Sequence, residues 1–318
     1  GRLRIGDDDI AAVMRIAREQ GMLVMLHAED GDEIEALVGA ALAAGKRKPI
    51  WHARTRPPRG EVLAGRRAID LASDALAPLY VVHVTTAGLA DNLYRARTRG
   101  VPVMGETCPH YLFFTEEHLK RPDGAKWVCS PPLRTVKDNM ALWNALADGS
   151  IQTVGTDHCP FFFDGTKPIV YEDSPIAIAG KELGREDFTL TPNGIPGIEH
   201  RLLLLWTFGV VSGRLSAMRF VELTASNPAR IMGLYPRKGA LLPGSDADIV
   251  LWDPAKQHTI SASTAHMRTD YDLWEGVKLT GVPVRVYLRG RLLVDGERWL
   301  GRPGGGRFLH RQAGAPVL

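Results

Sequence analysis

Cysteine is scarce in this 318-residue chain, which holds only Cys108, Cys129 and Cys159. The number is odd and no two stand as Cys-x-x-Cys. That argues against a disulfide framework or a zinc knuckle and fits reduced thiols in a cytoplasmic protein. Long apolar runs are missing as well. "HRLLLLWTFGVV" (200–211) falls short of the roughly 20 residues that cross a bilayer, and no signal peptide is visible. Net charge is small, +3, and unevenly placed. Residues 285–318 carry seven Arg against Asp295 and Glu297, so the rest of the chain is slightly acidic. A basic excess confined to a tail fits a solvated segment or a subunit contact better than a nucleic-acid site. No internal repeat is present, and no Gly-rich phosphate loop follows any apolar run, which weakens a nucleotide-binding reading. Neither nucleic acid nor a membrane is expected as a partner.

What is present is alternation. "DDD" (7–9) offers cap and first-turn carboxylates to a helix whose stripe is Ile10, Val13, Met14 and Ala17 and which Gly21 ends. The apolar run "MLVML" (22–26) follows, then a helical stretch at 32–45 and another near 60–76. "LYVVHV" (79–84), a helix over 87–99, "VPVMGE" (101–106), a helix near 136–148 and "IQTVGTD" (151–157) complete the series. Buried strands alternating with helices predict a parallel sheet covered on both faces, and right-handed crossovers restrict it to a doubly wound sheet or a (β/α) barrel. The barrel is favoured because ionisable residues gather at strand ends: His27 and Glu29, His83, Glu106, and Asp157 with His158. Only four good strands precede a change of pattern near residue 239, whereas a barrel needs eight. From there "DIVLW" (248–252) and "VPVRVYLRGRLLVDGERW" (282–299), broken by Arg-Gly and Asp-Gly turns, predict a small antiparallel module. The expected domains are 1–238 and 239–318.

His27, His83 and Asp157 have no meaningful spacing along the chain. They acquire meaning only if three strand ends project them into one mouth. Two neutral imidazoles and a carboxylate suit Zn²⁺ or a similar divalent ion. A lone His at a strand end is more often a satisfied polar residue, so the argument rests on all three. Glu106 reads as a carboxylate bonded to backbone rather than as a supporting partner of the site. His158 should point away from Asp157 on extended chain, in a structural or supporting role. His52 reads as packing in an Arg-rich loop. Cys159 has no base at hand and is not a nucleophile. Ser130 and Asn193 lie in Pro/Gly-rich loops, which present backbone groups to ligands or simply turn.

"MLHAEDGD", "LYVVHVTTA", "GETCPHYL", "CSPPLR", "TVGTDHCPF", "GKELGREDF", "PNGIPGIE" and "GSDADIVLWDP" run in order across nearly the whole chain. Together they resemble the dihydropyrimidinase and hydantoinase branch of the cyclic amidohydrolases. The resemblance implies an α/β fold: the C-terminal half of a metal-dependent amidohydrolase (β/α)8 barrel plus part of a small β-sandwich. It implies two divalent metal ions, usually zinc, with His27 and His83 on one and Asp157 on the other. Asp157 would also carry the proton, and Ser130 and Asn193 would hold the cyclic substrate largely through backbone groups. The implied reaction opens 5,6-dihydropyrimidines or 5-substituted hydantoins to N-carbamoyl amino acids. Homotetramers or dimers are implied, with the C-terminal tail reaching a neighbouring subunit.

Two departures stand out. The family's His-x-His, its bridging carboxylated Lys and the Tyr that closely follows that Lys are not found in this sequence. By register they fall before Gly1, so an N-terminally incomplete chain that binds metal weakly and turns over poorly is expected. The segment "DGTKPIVYEDSPIAIAGKELG" (164–184) is longer than the corresponding loop in many relatives. Two alternatives are a non-enzymatic scaffold of the same fold, against which the retained His27, His83 and Asp157 argue, and an allantoinase-type hydrolase.

Overall fold

Four short apolar segments pair side by side: β1 (Val24–Leu26), β2 (Leu79–Val81), β3 (Val103–Thr107) and β4 (Thr153–Val154). The computed structural model describes residues 4–165, 169–171, 174–176 and 180–314. Every pairing in the β1-β2-β3-β4 sheet is parallel, with Val24 opposite Leu79, Leu79 opposite Val103, and Glu106 opposite Thr153. A parallel neighbour requires a crossover. Helices α1 (Asp7–Glu19), α2 (Gly31–Ala43), α3 (Ile50–Arg54), α4 (Pro58–Ala75), α5 (Ala87–Thr98), α6 (Pro109–Phe113) and α7 (Val136–Asp148) flank or connect the strands. Gly6 takes the cap position of α1 without a side-chain bond, so Asp7, Asp8 and Asp9 all fall in the first turn, where they favour the helix dipole. Asp30 caps α2 through the Glu33 amide, Thr86 caps α5 through that of Leu89, and Thr135 forms a capping box with Asp138 on α7.

Strand alternation splits the burial. Leu79, Val81 and Val103 face the helices and join one core with Leu89, Leu93, Leu142 and Leu146. Each such side chain stabilises the fold by about 1.5–3 kcal/mol relative to exposure. Tyr80 and Met104 face the other way, packing with Ile231. On that face the Tyr80 hydroxyl donates to Glu106 at 2.8 Å and lies 2.6 Å from Thr153 Oγ1. A polar layer of this kind sits just beneath the strand ends that carry the candidate site.

The second sheet is antiparallel, in the order β10-β9-β8-β7, from β7 (Ile249–Thr259), β8 (Lys278–Leu288), β9 (Arg291–Asp295) and β10 (Arg298–Trp299). The expected strand at 248–252 therefore runs longer, and the Arg-Gly and Asp-Gly turns join β8 to β9 and β9 to β10. A buried pair, His200 Nε2 with Asp272 at 2.6 Å, links the helical region after residue 199 to the stretch before β8. Of the long segment 164–184, the hairpin β5 (Ile169–Tyr171) with β6 (Ser174–Ile176) is described. Its other expected features at 166–168, 172–173 and 177–179 lie outside the described residues. Among the described residues no helix is long and apolar enough to cross a membrane. Neither β1 nor β4 has a second strand neighbour there, although His158 forms an isolated bridge to Ile195.

Candidate metal and substrate site

His27 follows β1 directly, His83 lies two residues past β2, and Asp157 three past β4. Two of the three break the extended backbone: His83 has φ +42° and Asp157 φ +44°. Left-handed backbone costs a non-glycine residue about 1–2 kcal/mol, so something must hold it. At His83 the holder is Glu106. Its carboxylate accepts the Tyr80 hydroxyl at 2.8 Å, and the Val84 amide, next along the chain from His83, donates to the Glu106 carbonyl at 2.6 Å. Burial raises the Glu106 carboxyl and the Tyr80 hydroxyl opposes the rise. Gly155 makes room for it, since a Cβ there would lie 2.4 Å from the Glu106 carboxyl carbon. The Glu106 carboxylate is thus bonded to the Tyr80 side chain rather than to backbone.

The left-handed turn brings His83 Nε2 to 3.0 Å from His27 Nδ1. The other His27 nitrogen, Nε2, lies 2.8 Å from Glu29 Oε2. A carboxylate only accepts, so His27 carries its proton on Nε2 and turns the Nδ1 lone pair inward. This carboxylate-histidine arrangement is the one that prepares an imidazole for a metal. Burial pushes the His83 imidazole down to about 3, with His27 adding to the effect, so His83 is neutral and able to donate a lone pair. Two ligands sharing one tetrahedral zinc at about 2.0–2.1 Å are roughly 3.3 Å apart. The 3.0 Å between these nitrogens fits one cation between them. Among the described residues, however, no group of three His, Cys, Asp or Glu side chains could enclose a metal ion. The pair therefore fits a cation as half of a coordination set. Asp157 lies within electrostatic reach. Partial burial raises its carboxyl and His27 pulls it down; the Cys129 thiol is pushed up by burial, with Asp157 adding to the effect.

Opposite these donors, two loops meet. Gly194 donates its amide to the Val128 carbonyl at 3.2 Å, which sets Asn193 beside the Cys129-Ser130 segment. Asn193 is exposed and Ser130 half-buried. His52 supports Ser130 from behind: its Nε2–H donates to the Cys129 carbonyl at 2.8 Å, with Ser130 Oγ 3.4 Å away. Burial holds the His52 imidazole well below its usual range, the Arg56 guanidinium adds to this, and Arg56 donates to Nδ1 at 3.2 Å. The Lys181 ammonium group donates to Val128 O at 2.8 Å and Gly194 O at 2.6 Å.

The structure thus brings His27 and His83 into contact and joins the segments carrying Ser130 and Asn193, with Asp157 two residues before Cys159, against which Gly194 packs. His158 is not in that group. Its Nδ1 accepts from the Gly197 and Ile198 amides at 3.2 and 3.3 Å, anchoring the loop after Asn193. It is structural, but not through alternation on extended chain, because Asp157 is left-handed. Cys159 is a free, exposed thiol whose backbone amide bonds to Ile195 O at 3.1 Å. Reading the sequence placed Glu29 at a strand end without a role and missed Lys181. Glu29 stands two residues after His27, a spacing that signals nothing until the strand ends. Lys181 was visible only as one more charged residue in "GKELGREDF".

Comparison with known proteins gives the family. The chain is 44% identical over 314 residues to the D-hydantoinase of Ralstonia pickettii, covering 98% of this chain and 65% of that protein. The crystal structure of the dihydropyrimidinase from Brevibacillus agri superposes with a TM-score of 0.92 at 44% identity, over 98% of this chain and 65% of that one. The L-hydantoinase (dihydropyrimidinase) from Arthrobacter aurescens gives 0.86 at 30% identity, over 96% and 64%. The chain spans just under two thirds of the length of each. Residues 1–293 match the model of the amidohydrolase family, whose membership implies divalent metal ions. From that match and the paired imidazoles together, the chain belongs to the amidohydrolase family.

Proposed function

We propose that the protein hydrolyses the ring amide of 5-substituted hydantoins or 5,6-dihydropyrimidines to N-carbamoyl amino acids. The observation that carries this reading is the His27–His83 pair, two nitrogens aimed at one point with the tautomer of His27 set by Glu29. The likeness to D-hydantoinases supplies the substrate class, a small cyclic amide. Residues 1–238 are read as the catalytic portion of a (β/α)8 barrel, and 239–318 as sandwich strands with a basic tail. The proposed cofactor is a pair of divalent ions, zinc by donor chemistry, with His27 Nδ1 and His83 Nε2 holding one and Asp157 the other. When bound, such ions acidify water and polarise a carbonyl.

The chain's own residues orient the ring and move the proton. Backbone groups around Ser130 and Asn193 receive the imide or ureide edge. Asp157 takes the proton as a water oxygen adds to the ring carbonyl carbon, and returns it to the ring nitrogen as the C–N bond breaks. One water is consumed and one N-carbamoyl acid forms. Assembly into a cytoplasmic dimer or tetramer through the tail belongs to the same proposal. In the single chain the tail lies against residues 230–233, where the Gln312 amide donates to Gly233 O at 3.1 Å.

Ring opening of dihydrouracil, both enantiomers of phenylhydantoin, and allantoin, measured side by side with zinc supplied, tests the reading. Hydantoin and dihydrouracil should open in preference to allantoin. Turnover by these 318 residues alone should be weak, because the described residues hold no three-donor set. The higher identity to D-hydantoinases than to the L-hydantoinase, 44 against 30%, favours the D-enantiomer. A preference for allantoin, or undiminished ring opening in excess chelator, would overturn the proposal.

A further inference from the structure

Lys181 is fully buried. Burying an ammonium group is unfavourable unless its donors find acceptors, and here two of its three are met by backbone carbonyls of two separate segments. Val128 O lies two residues before Ser130, and Gly194 O one residue after Asn193. The same Val128 carbonyl also takes the Gly194 amide. Gly194 has φ +144°, and a Cβ there would come within 2.8 Å of Cys159 Sγ, so this loop is also pressed against the segment after Asp157. Lys181 itself is fixed by its own amide, which donates to Phe162 O at 2.9 Å. One side chain therefore stands where the Val128–Ser130, Asp157–Cys159 and Asn193–Ile195 segments meet. A lysine serving the core alone would have no reason to bond only to the loops that border the mouth.

We propose that Lys181 is the positioning residue of the substrate loops: its ammonium group holds the Ser130 and Asn193 segments at the spacing with which they receive a ring amide. The inference deepens the hydrolase reading and rests on it for the identity of the ligand. The groups facing Lys181 are the Cys129 and Cys159 thiols and the His52 and His110 imidazoles. Burial pushes the Lys181 amine down to about 7, the two thiols opposing. A neutral amine keeps two N–H donors, enough for both carbonyls, so the tie holds on either side of that value.

The test compares the full chain with Lys181→Met and Lys181→Gln, the latter keeping an amide donor in case the former does not fold. Hydrogen exchange is read at the Gly194 and Cys159 amides, with Leu79 and Val81 in the sheet as controls. Zinc and D-phenylhydantoin affinities are measured by calorimetry. In Lys181→Met the two loop amides should exchange about 10-fold faster and phenylhydantoin should bind about 10-fold more weakly, while the sheet amides and zinc affinity stay within about twofold. Lys181→Gln should fall between. Unchanged exchange at Gly194 and Cys159 would overturn the proposal, as would faster exchange throughout the sheet. Loosened loops with unchanged phenylhydantoin affinity would also overturn it. If the unmodified protein binds no phenylhydantoin, the hydrolase reading has failed, and the exchange experiment alone decides whether Lys181 ties the loops.

Discussion

The two rims of the mouth satisfy their polar groups differently. On the donor rim, His27 Nδ1 and His83 Nε2 meet only each other among the described residues, 3.0 Å apart, and the His27 side chain is 43% exposed. On the loop rim, His52 Nε2, Lys181 Nζ and the Gly194 amide all reach backbone carbonyls. The contrast separates two tasks. In the proposed site, metal donors must keep lone pairs available, so their surroundings fix backbone and tautomer and leave the two facing nitrogens without other partners. Loops that read a ligand through backbone must be rigid beforehand, so their own groups are tied down.

A buried ion pair joins the rims, and breaking it should have the largest effect. Glu61 accepts the Thr85 amide at 2.8 Å and Arg134 Nη2 at 2.9 Å, and Arg134 Nε donates to Thr85 Oγ1 at 2.8 Å. Thr85 is two residues past His83, and Arg134 four past Ser130. Glu61→Ala leaves a buried cation uncompensated and should destabilise the fold by about 3–5 kcal/mol, read as a lower denaturant midpoint. Next comes the donor rim alone. His83→Asn, chosen because Asn tolerates left-handed backbone, should weaken zinc binding by more than about 100-fold, more than losing a supporting residue, while leaving the exchange of the loop amides unchanged. Glu29→Gln removes the acceptor that sets the His27 tautomer and should weaken zinc binding by about 10- to 100-fold in the same titration. The exposed Lys48–Glu186 pair, 3.4 Å apart at the edge of the loop rim, should matter least. Lys48→Ala should shift stability by less than about 1 kcal/mol, since solvent screens such pairs. A larger shift there would mean that surface charges, rather than buried ties, make this rim rigid.

How much of this was legible varies residue by residue. His27, His83 and Asp157 stood out because apolar runs ended in them, and strand ends share a face whatever lies between. Ser130 and Asn193 came only with the motifs around them, since a polar residue in a Pro/Gly loop has no signature of its own. Glu106 was read as a backbone-bonded carboxylate, and its hydrogen-bond partner is instead the Tyr80 hydroxyl. That side chain stands on the neighbouring strand, which no local pattern announced. His52 was read as packing, and its contact to the Cys129 carbonyl, 77 positions away, puts it directly behind Ser130. Lys181 was not singled out, because burial of a lysine is a property of its surroundings.

By itself the sequence determined the elements and their order, since apolar periodicity, caps and turn residues act over a few positions. It likewise determined which side chains would stand at the ends of the parallel strands. The tertiary structure alone decided which nitrogen of His27 faces inward, that His83 is neutral, and that one lysine reaches two distant carbonyls. Those outcomes depend on burial and on hydrogen bonds between residues far apart in the chain, which act through space and leave no local pattern.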